Sequence, residues 1–155
     1  MIELVNTLKE HGLTISSCES FTAGLFCSKI GEVSGASSVL KGGIVTYTNE
    51  AKIRLAQVDE DVIRRYGAVS EQCVIQMARN VKEMFQSDIG VSFSGNAGPS
   101  PSEGKAVGLI YCAIAYLDNV KVFKLQLDKS RNEIRDEAVF FVANQVILNI
   151  LGKGM

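Results

Sequence analysis

The chain has 155 residues, 46% of them apolar and 21% charged, with 16 lysines and arginines against 17 aspartates and glutamates. That composition excludes a disordered chain and is expected to fold as one domain over residues 1–155. A formal charge of -1 lacks the footprint of a dedicated nucleic-acid binder, so no nucleic-acid partner is expected.

No apolar run reaches the roughly 18 residues of a membrane span. Residues 1–6 lack the basic and apolar regions of a secretory signal, so no membrane partner and a cytoplasmic location are expected. Cys18, Cys27, Cys73 and Cys112 form no CxxC pair, and His11 is the single histidine. Neither a zinc site nor a disulfide framework is expected.

In chain order, Ile2, Val5 and Leu8 recur at helical spacing and predict a short helix ended by Gly12. Leu13–Ser17 is a strand candidate, and Thr22–Ile30 a helix. Ile44, Val45, Thr46, Tyr47 and Thr48 are β-branched or aromatic and predict a strand over Val39–Thr48. Asn49 is a candidate cap for a short helix, and Asp59–Tyr66 reads as another, stopped by Gly67. Ser70 caps the clearest helix, in which Val74, Met77, Ala78, Val81 and Phe85 follow the helical period. Ile89–Ser94 is a strand and Gly95–Gly104 a loop. Val107–Leu117 and Val120–Leu127 predict a hairpin turning at Asp118-Asn119. Residues 130–151 form a last helix, apolar on most faces. It is either buried in the domain or part of a subunit interface, and a homo-oligomer is expected from it.

Alternation of strands and helices predicts an α/β fold: a three-layer α/β/α sandwich on a mixed, mostly parallel sheet of about five strands. Ligands of such sheets bind beyond the carboxyl ends of the parallel strands. Three segments there carry polar chemistry, and a fourth candidate lies at the start of the last helix. In Glu19-Ser20-Phe21-Thr22-Ala23-Gly24, Ser20 sits where a helix N-terminus attracts a phosphate or oxyanion; the plainer alternative is a cap at Ser20 or Thr22. In Tyr47-Thr48-Asn49-Glu50-Ala51-Lys52, a cap at Asn49 puts Lys52 at the third helical position. The helix field there disfavours its charge, and a neutral lysine is a usable base; the plainer alternative is a solvent-exposed lysine beside a Tyr47 packed at a strand end. In Gly95-Asn96-Ala97-Gly98, two glycines allow close backbone approach to a ligand. Arg131 and Arg135 share one face of a helix start, and arginine suits phosphate.

Taken in order, these motifs resemble the CinA C-terminal domain family, whose characterised members include nicotinamide mononucleotide deamidases. Its pattern reads roughly ESCTGG, GxVTYSNEAK, GAVSE, TGIAGP and KPVG. The corresponding stretches here are Glu19–Gly24, Gly43–Lys52, Gly67–Glu71, Ser94–Pro99 and Lys105–Gly108. The resemblance implies a catalytic group of Ser20 as nucleophile, Lys52 as its base and Tyr47 assisting. Substrate contacts are expected from Glu19, Thr22, Ala23, Gly24, Thr48, Asn49, Gly95, Asn96, Ala97, Gly98 and Arg131. It implies a small-molecule nucleotide substrate, hydrolysis of a carboxamide, and no metal or organic cofactor. The departures are Phe21, Ala23, Asn96, Ser100-Pro101-Ser102 and Ala106, which reshape the pocket and leave substrate identity more open than chemistry. The alternative is a non-catalytic or altered-specificity nucleotide-binding domain. Larger members carry an extra N-terminal domain for which 155 residues leave no room, so its activities are not carried over.

Overall fold

The computed structural model describes residues 1–152. Five strands form one sheet: β1 (Ile15–Glu19), β2 (Leu40–Val45), β3 (Ile89–Gly95), β4 (Leu109–Tyr116) and β5 (Asn119–Gln126). Their order is β2-β1-β3-β4-β5. The β2-β1 and β1-β3 pairs are parallel, because helices carry each crossover. The β3-β4 and β4-β5 pairs are antiparallel. Four strands therefore run one way and β4 the other.

Helices α1 (Ile2–Glu10), α2 (Leu25–Gly31) and α6 (Arg131–Ile150) cover one face. Their core joins Leu4, Leu8, Phe26, Ile30, Ile134, Val139 and Val142 to Ile15, Val91, Phe93, Ile110 and Ile114 of the sheet. The opposite face carries α3 (Asn49–Arg54), α4 (Glu60–Tyr66) and α5 (Glu71–Phe85). There Cys73, Val74, Met77 and Val81 pack on Cys18, Ala113 and Ala115. On β4, Ile110, Cys112 and Ile114 face one core while Ala113 and Ala115 face the other, as the two-residue period requires. Small residues on β1 and β3 let α5 approach closely. Ser16, Ser92 and Ser94 donate to the carbonyls of Val81, Val74 and Ala68, and a Cβ at Gly90 would lie 2.2 Å from the Ala78 carbonyl oxygen.

Several boundaries differ from expectation. β1 starts two residues later than predicted and ends at Glu19, so Glu19 is a strand residue. α2 begins at Leu25, because Ala23 and Gly24 both have positive φ (48° and 91°) and Phe21–Gly24 is a turn. Thr48, not Asn49, caps α3, its Oγ1 accepting from Ala51 N–H at 3.0 Å. The hairpin turn is Leu117-Asp118, since Asn119 already pairs with Tyr116. α6 buries Ile134, Ala138, Val139, Val142, Ala143, Val146 and Ile147 inside the protein and leaves Phe140 43% exposed.

The register brings three strand ends together. Glu19 pairs with Val45 on one side and Phe93 on the other. Ser20, Thr46 and Asn96 thus leave the sheet side by side. Among the described residues, no helix is long and apolar enough to cross a membrane.

Candidate active site

Ser20 is the first residue after β1, and its N–H continues the ladder to the Phe93 carbonyl at 3.0 Å. Its carbonyl accepts from Ala23 N–H at 3.0 Å, which closes a tight turn. Lys52 arrives from α3. Side chains on a helix lean toward its N-terminus, so Lys52 reaches back to the sheet edge. Its Nζ donates to Ser20 Oγ at 2.9 Å and to the Thr46 carbonyl at 2.8 Å. Ser20 is 8% exposed and Lys52 only 2%.

With Thr48 as the cap, Lys52 occupies the fourth helical position and not the third. α3 has only 6 residues, so its dipole is a minor influence. Burial is what lowers the Lys52 pKa. Burial also pushes Cys18 up to about 11 and Cys73 up to about 12. Both thiols stay neutral near pH 7 and give an ammonium no anionic neighbour. Glu103 acts in the opposite direction, but its carboxylate is held by the N–H groups of Ala68 and Val69 and by Lys105.

The expected substrate contacts at the first motif are redistributed. Glu19 does not face the cavity. Its buried carboxylate accepts from the N–H groups of Gly24, Phe26 and Cys27 at 3.0–3.1 Å and from Ser17 Oγ. The helix N-terminus that was to hold an oxyanion is therefore occupied by the protein's own carboxylate. Ala23 N–H is likewise spent on the turn, and the Ala23 side chain is exposed. Thr22 is fully buried, and its Oγ1 is the one sealed side-chain polar atom without a partner among the described residues. Thr48 and Asn49 are exposed at the start of α3, and neither lines the cavity beside Ser20.

That cavity has a volume of about 230 Å³. Ser20, Phe21, Tyr47, Asn96, Gly98 and Arg131 line it, together with Gly95, Ala97, Ser100 and Ser102. The two glycines serve the fold first. A Cβ at Gly95 would lie 2.3 Å from Ile110 Cδ1, and one at Gly98 would lie 2.5 Å from Val107 Cγ1. Arg131 donates to the Gly98 carbonyl at 2.6 Å and to the Tyr47 hydroxyl at 2.8 Å. Two of its five N–H donors are thus committed, and the rest are available to an anion. Tyr47 is 54% exposed and meets Arg131 at the cavity wall, with no bond to Ser20 or Lys52.

The roles of four residues were not legible from the motifs. Arg135, paired with Arg131 in the sequence reading, donates to the Phe21 and Thr22 carbonyls and clamps the Ser20 turn. Lys105 donates to the Tyr66 and Val69 carbonyls and anchors the cavity loop to the start of α5. Ser100 and Ser102 add hydroxyls to the wall. The four-residue spacing of the arginines was the only signal for Arg135. Among the described residues, no three His, Cys, Asp or Glu side chains converge on a point.

A buried lysine bonded to a serine, beside a polar cavity with an arginine, defines a three-layer α/β/α protein with a serine–lysine pair at its sheet edge. The comparisons with known proteins place it further: the family model "CinA C-terminal domain" matches residues 1–150, and the chain belongs to that family. A competence-damage inducible protein of Bacillus mycoides is 44% identical over 135 residues, 86% of this chain and 33% of that protein. One from Bacillus pumilus is 38% identical over 149 residues, 96% of this chain and 36% of that protein. The chain spans about a third of the length of these curated relatives. The crystal structure of the competence/damage inducible protein CihA from Agrobacterium tumefaciens superposes with a TM-score of 0.89 at 33% identity, covering 93% of this chain and 89% of that one. A CinA superfamily protein from Klebsiella pneumoniae gives 0.94 at 22% identity, covering 97% and 95%, a likeness of fold.

Proposed function

We propose that this chain is an amidohydrolase that converts nicotinamide mononucleotide to nicotinate mononucleotide and ammonia, a step of pyridine nucleotide recycling. One observation carries the chemistry, the 2.9 Å contact between buried Lys52 Nζ and Ser20 Oγ; the substrate is what membership of the CinA C-terminal domain family implies. A neutral lysine accepts the serine proton where a histidine serves in other hydrolases. Ser20 Oγ attacks the carboxamide carbon, and a tetrahedral oxyanion forms. Lys52 returns the proton to the amide nitrogen, ammonia leaves, and an acyl-serine remains. Water, deprotonated by Lys52, hydrolyses that ester and regenerates Ser20.

The oxyanion needs N–H donors with no other acceptor. Ala23 and Gly24 are excluded by their own bonds, as is Asn96, whose N–H goes to Leu109. Phe21, Ala97 and Gly98 line the cavity and have no protein acceptor for their N–H groups among the described residues, which makes them the donors of choice. The cavity takes the carboxamide-bearing ring, and the free donors of Arg131 receive the phosphate, with Tyr47 assisting beside it. No metal or organic cofactor enters the reaction.

The test is to incubate the purified protein with nicotinamide mononucleotide and follow ammonia and nicotinate mononucleotide. Turnover lost in both Ser20→Ala and Lys52→Ala supports the serine–lysine pair. Turnover that survives Ser20→Ala means another residue is the nucleophile. A wild type without turnover returns the choice to a nucleotide-binding domain of other specificity.

A further inference from the structure

Asn96 is held at three points by the protein itself. Its N–H donates to the Leu109 carbonyl at 2.9 Å, and its carbonyl accepts from Gly108 N–H at 2.7 Å. Its side-chain Nδ2 donates to the Lys105 carbonyl at 3.1 Å. The residue is only 5% exposed, yet it lines the cavity that holds Ser20. Its Oδ1 receives no donor from the protein among the described residues, and it is not sealed, since Thr22 Oγ1 is the sealed atom without a partner. Asn96 is one of the residues that line the cavity, so an unsealed, unpartnered oxygen of this side chain lies at its wall. Turning the amide over would break the Nδ2 bond and set Oδ1 against the Lys105 carbonyl, acceptor against acceptor. The side chain therefore presents a carbonyl oxygen of fixed orientation.

We propose that Asn96 is a specificity-determining residue whose Oδ1 accepts a hydrogen bond from the NH2 group of the substrate's carboxamide. The proposal rests on the amidase reading and names what that site selects. A primary amide offers two N–H donors, whereas a ketone, an ester or a carboxylate offers none. A site built to receive a donor rejects the analogue without one, because its own acceptor is left buried and unpaired. Hydrolysis replaces the donor with a carboxylate oxygen. The product then faces Oδ1 oxygen to oxygen, so Asn96 favours substrate over product and helps expel the acid.

The experiment uses the full chain carrying Ser20→Ala, which removes the proposed nucleophile. Calorimetry compares nicotinamide mononucleotide, its 3-acetylpyridine analogue, in which CH3 replaces NH2, and nicotinate mononucleotide. The expected result is that the amide binds about tenfold more tightly than the ketone or the acid. Adding Asn96→Leu should bring amide and ketone to within about twofold of each other. Equal affinity for amide and ketone in the Ser20→Ala protein overturns the proposal and leaves the amidase reading standing. Binding of none of the three by folded Ser20→Ala protein overturns the amidase reading and this proposal with it. If Asn96→Leu fails to fold by its melting curve, the ligand comparison in Ser20→Ala decides alone.

Discussion

Lys52 shows how much one side chain can be changed by its surroundings. Its charge has to be stabilised by a hydroxyl and a carbonyl, because no carboxylate bonds to it among the described residues. Burial therefore lowers its pKa. Only the neutral amine accepts the Ser20 proton, so kcat/KM should rise with pH and level off above an apparent pKa below the ordinary lysine value of about 10.4. A rate profile from pH 5 to 10 checks this; a limb that rises only through the ordinary lysine range would contradict it. Ala23 makes a different point. Its φ of 48° is left-handed, which costs a side-chain-bearing residue about 1–2 kcal/mol. Glycine there would recover that and give back about 0.4–1 kcal/mol to the unfolded chain. Ala23→Gly should therefore stabilise by about 0.5–1 kcal/mol in urea denaturation, with the Ser20 turn unchanged. The family motif has glycine at this position, and the turn geometry supplies the reason.

The elements around the site are held mainly by polar groups at their ends. Glu19 ties the last residue of β1 to the first turn of α2. Arg135 ties α6 to the carbonyls of the same turn, so the nucleophile's loop is gripped through its N–H groups and its C=O groups alike. Ser70 does the same for α5: Oγ accepts from Cys73 N–H at 3.2 Å and donates to the Gly67 carbonyl at 2.8 Å. Ser70→Ala should cost about 1 kcal/mol, measured as a lowered denaturant midpoint at constant m-value. That cap was readable from the sequence, because a helix start depends on residues three or four apart. The Glu19 role was not, because its partners lie beyond a turn whose left-handed residues moved the start of α2 to Leu25.

At the scale of the molecule, a strap joins the cavity loop to the second core. Glu103 accepts from Ala68 and Val69 N–H at 2.8 and 3.1 Å, and Lys105 Nζ lies 3.1 Å from its carboxylate. Those donors lower its pKa, so the folded state binds a proton less readily than the unfolded one. The stabilisation is present above the unfolded carboxylate value of about 4.3 and is lost as pH falls through the lower folded value. Melting temperature should therefore drop on acidification through that window, and Glu103→Gln should flatten part of the drop. Equal slopes in both proteins would remove the strap from the account. Self-association stays a proposal. Most of the apolar length of α6, which raised it, is buried inside the domain while Phe140 stays exposed, and light scattering at micromolar concentration decides it.

The sequence by itself determined the layer architecture, the chain order of strands and helices, the Ser70 cap, and the Ser20, Lys52, Asn96 and Arg131 candidates at the carboxyl end of the sheet. Each depends on period, turn chemistry or spacing over a few residues. Only the tertiary structure decided which of those groups remain available. Glu19 satisfies a helix end, Gly95 and Gly98 make room for Ile110 and Val107, and Thr48 and Asn49 stay outside the cavity. The same packing buries Lys52 against Ser20 and leaves Asn96 Oδ1 without a protein donor among the described residues. Burial and hydrogen-bond accounting are sums over residues far apart in the chain, and no local pattern contains them.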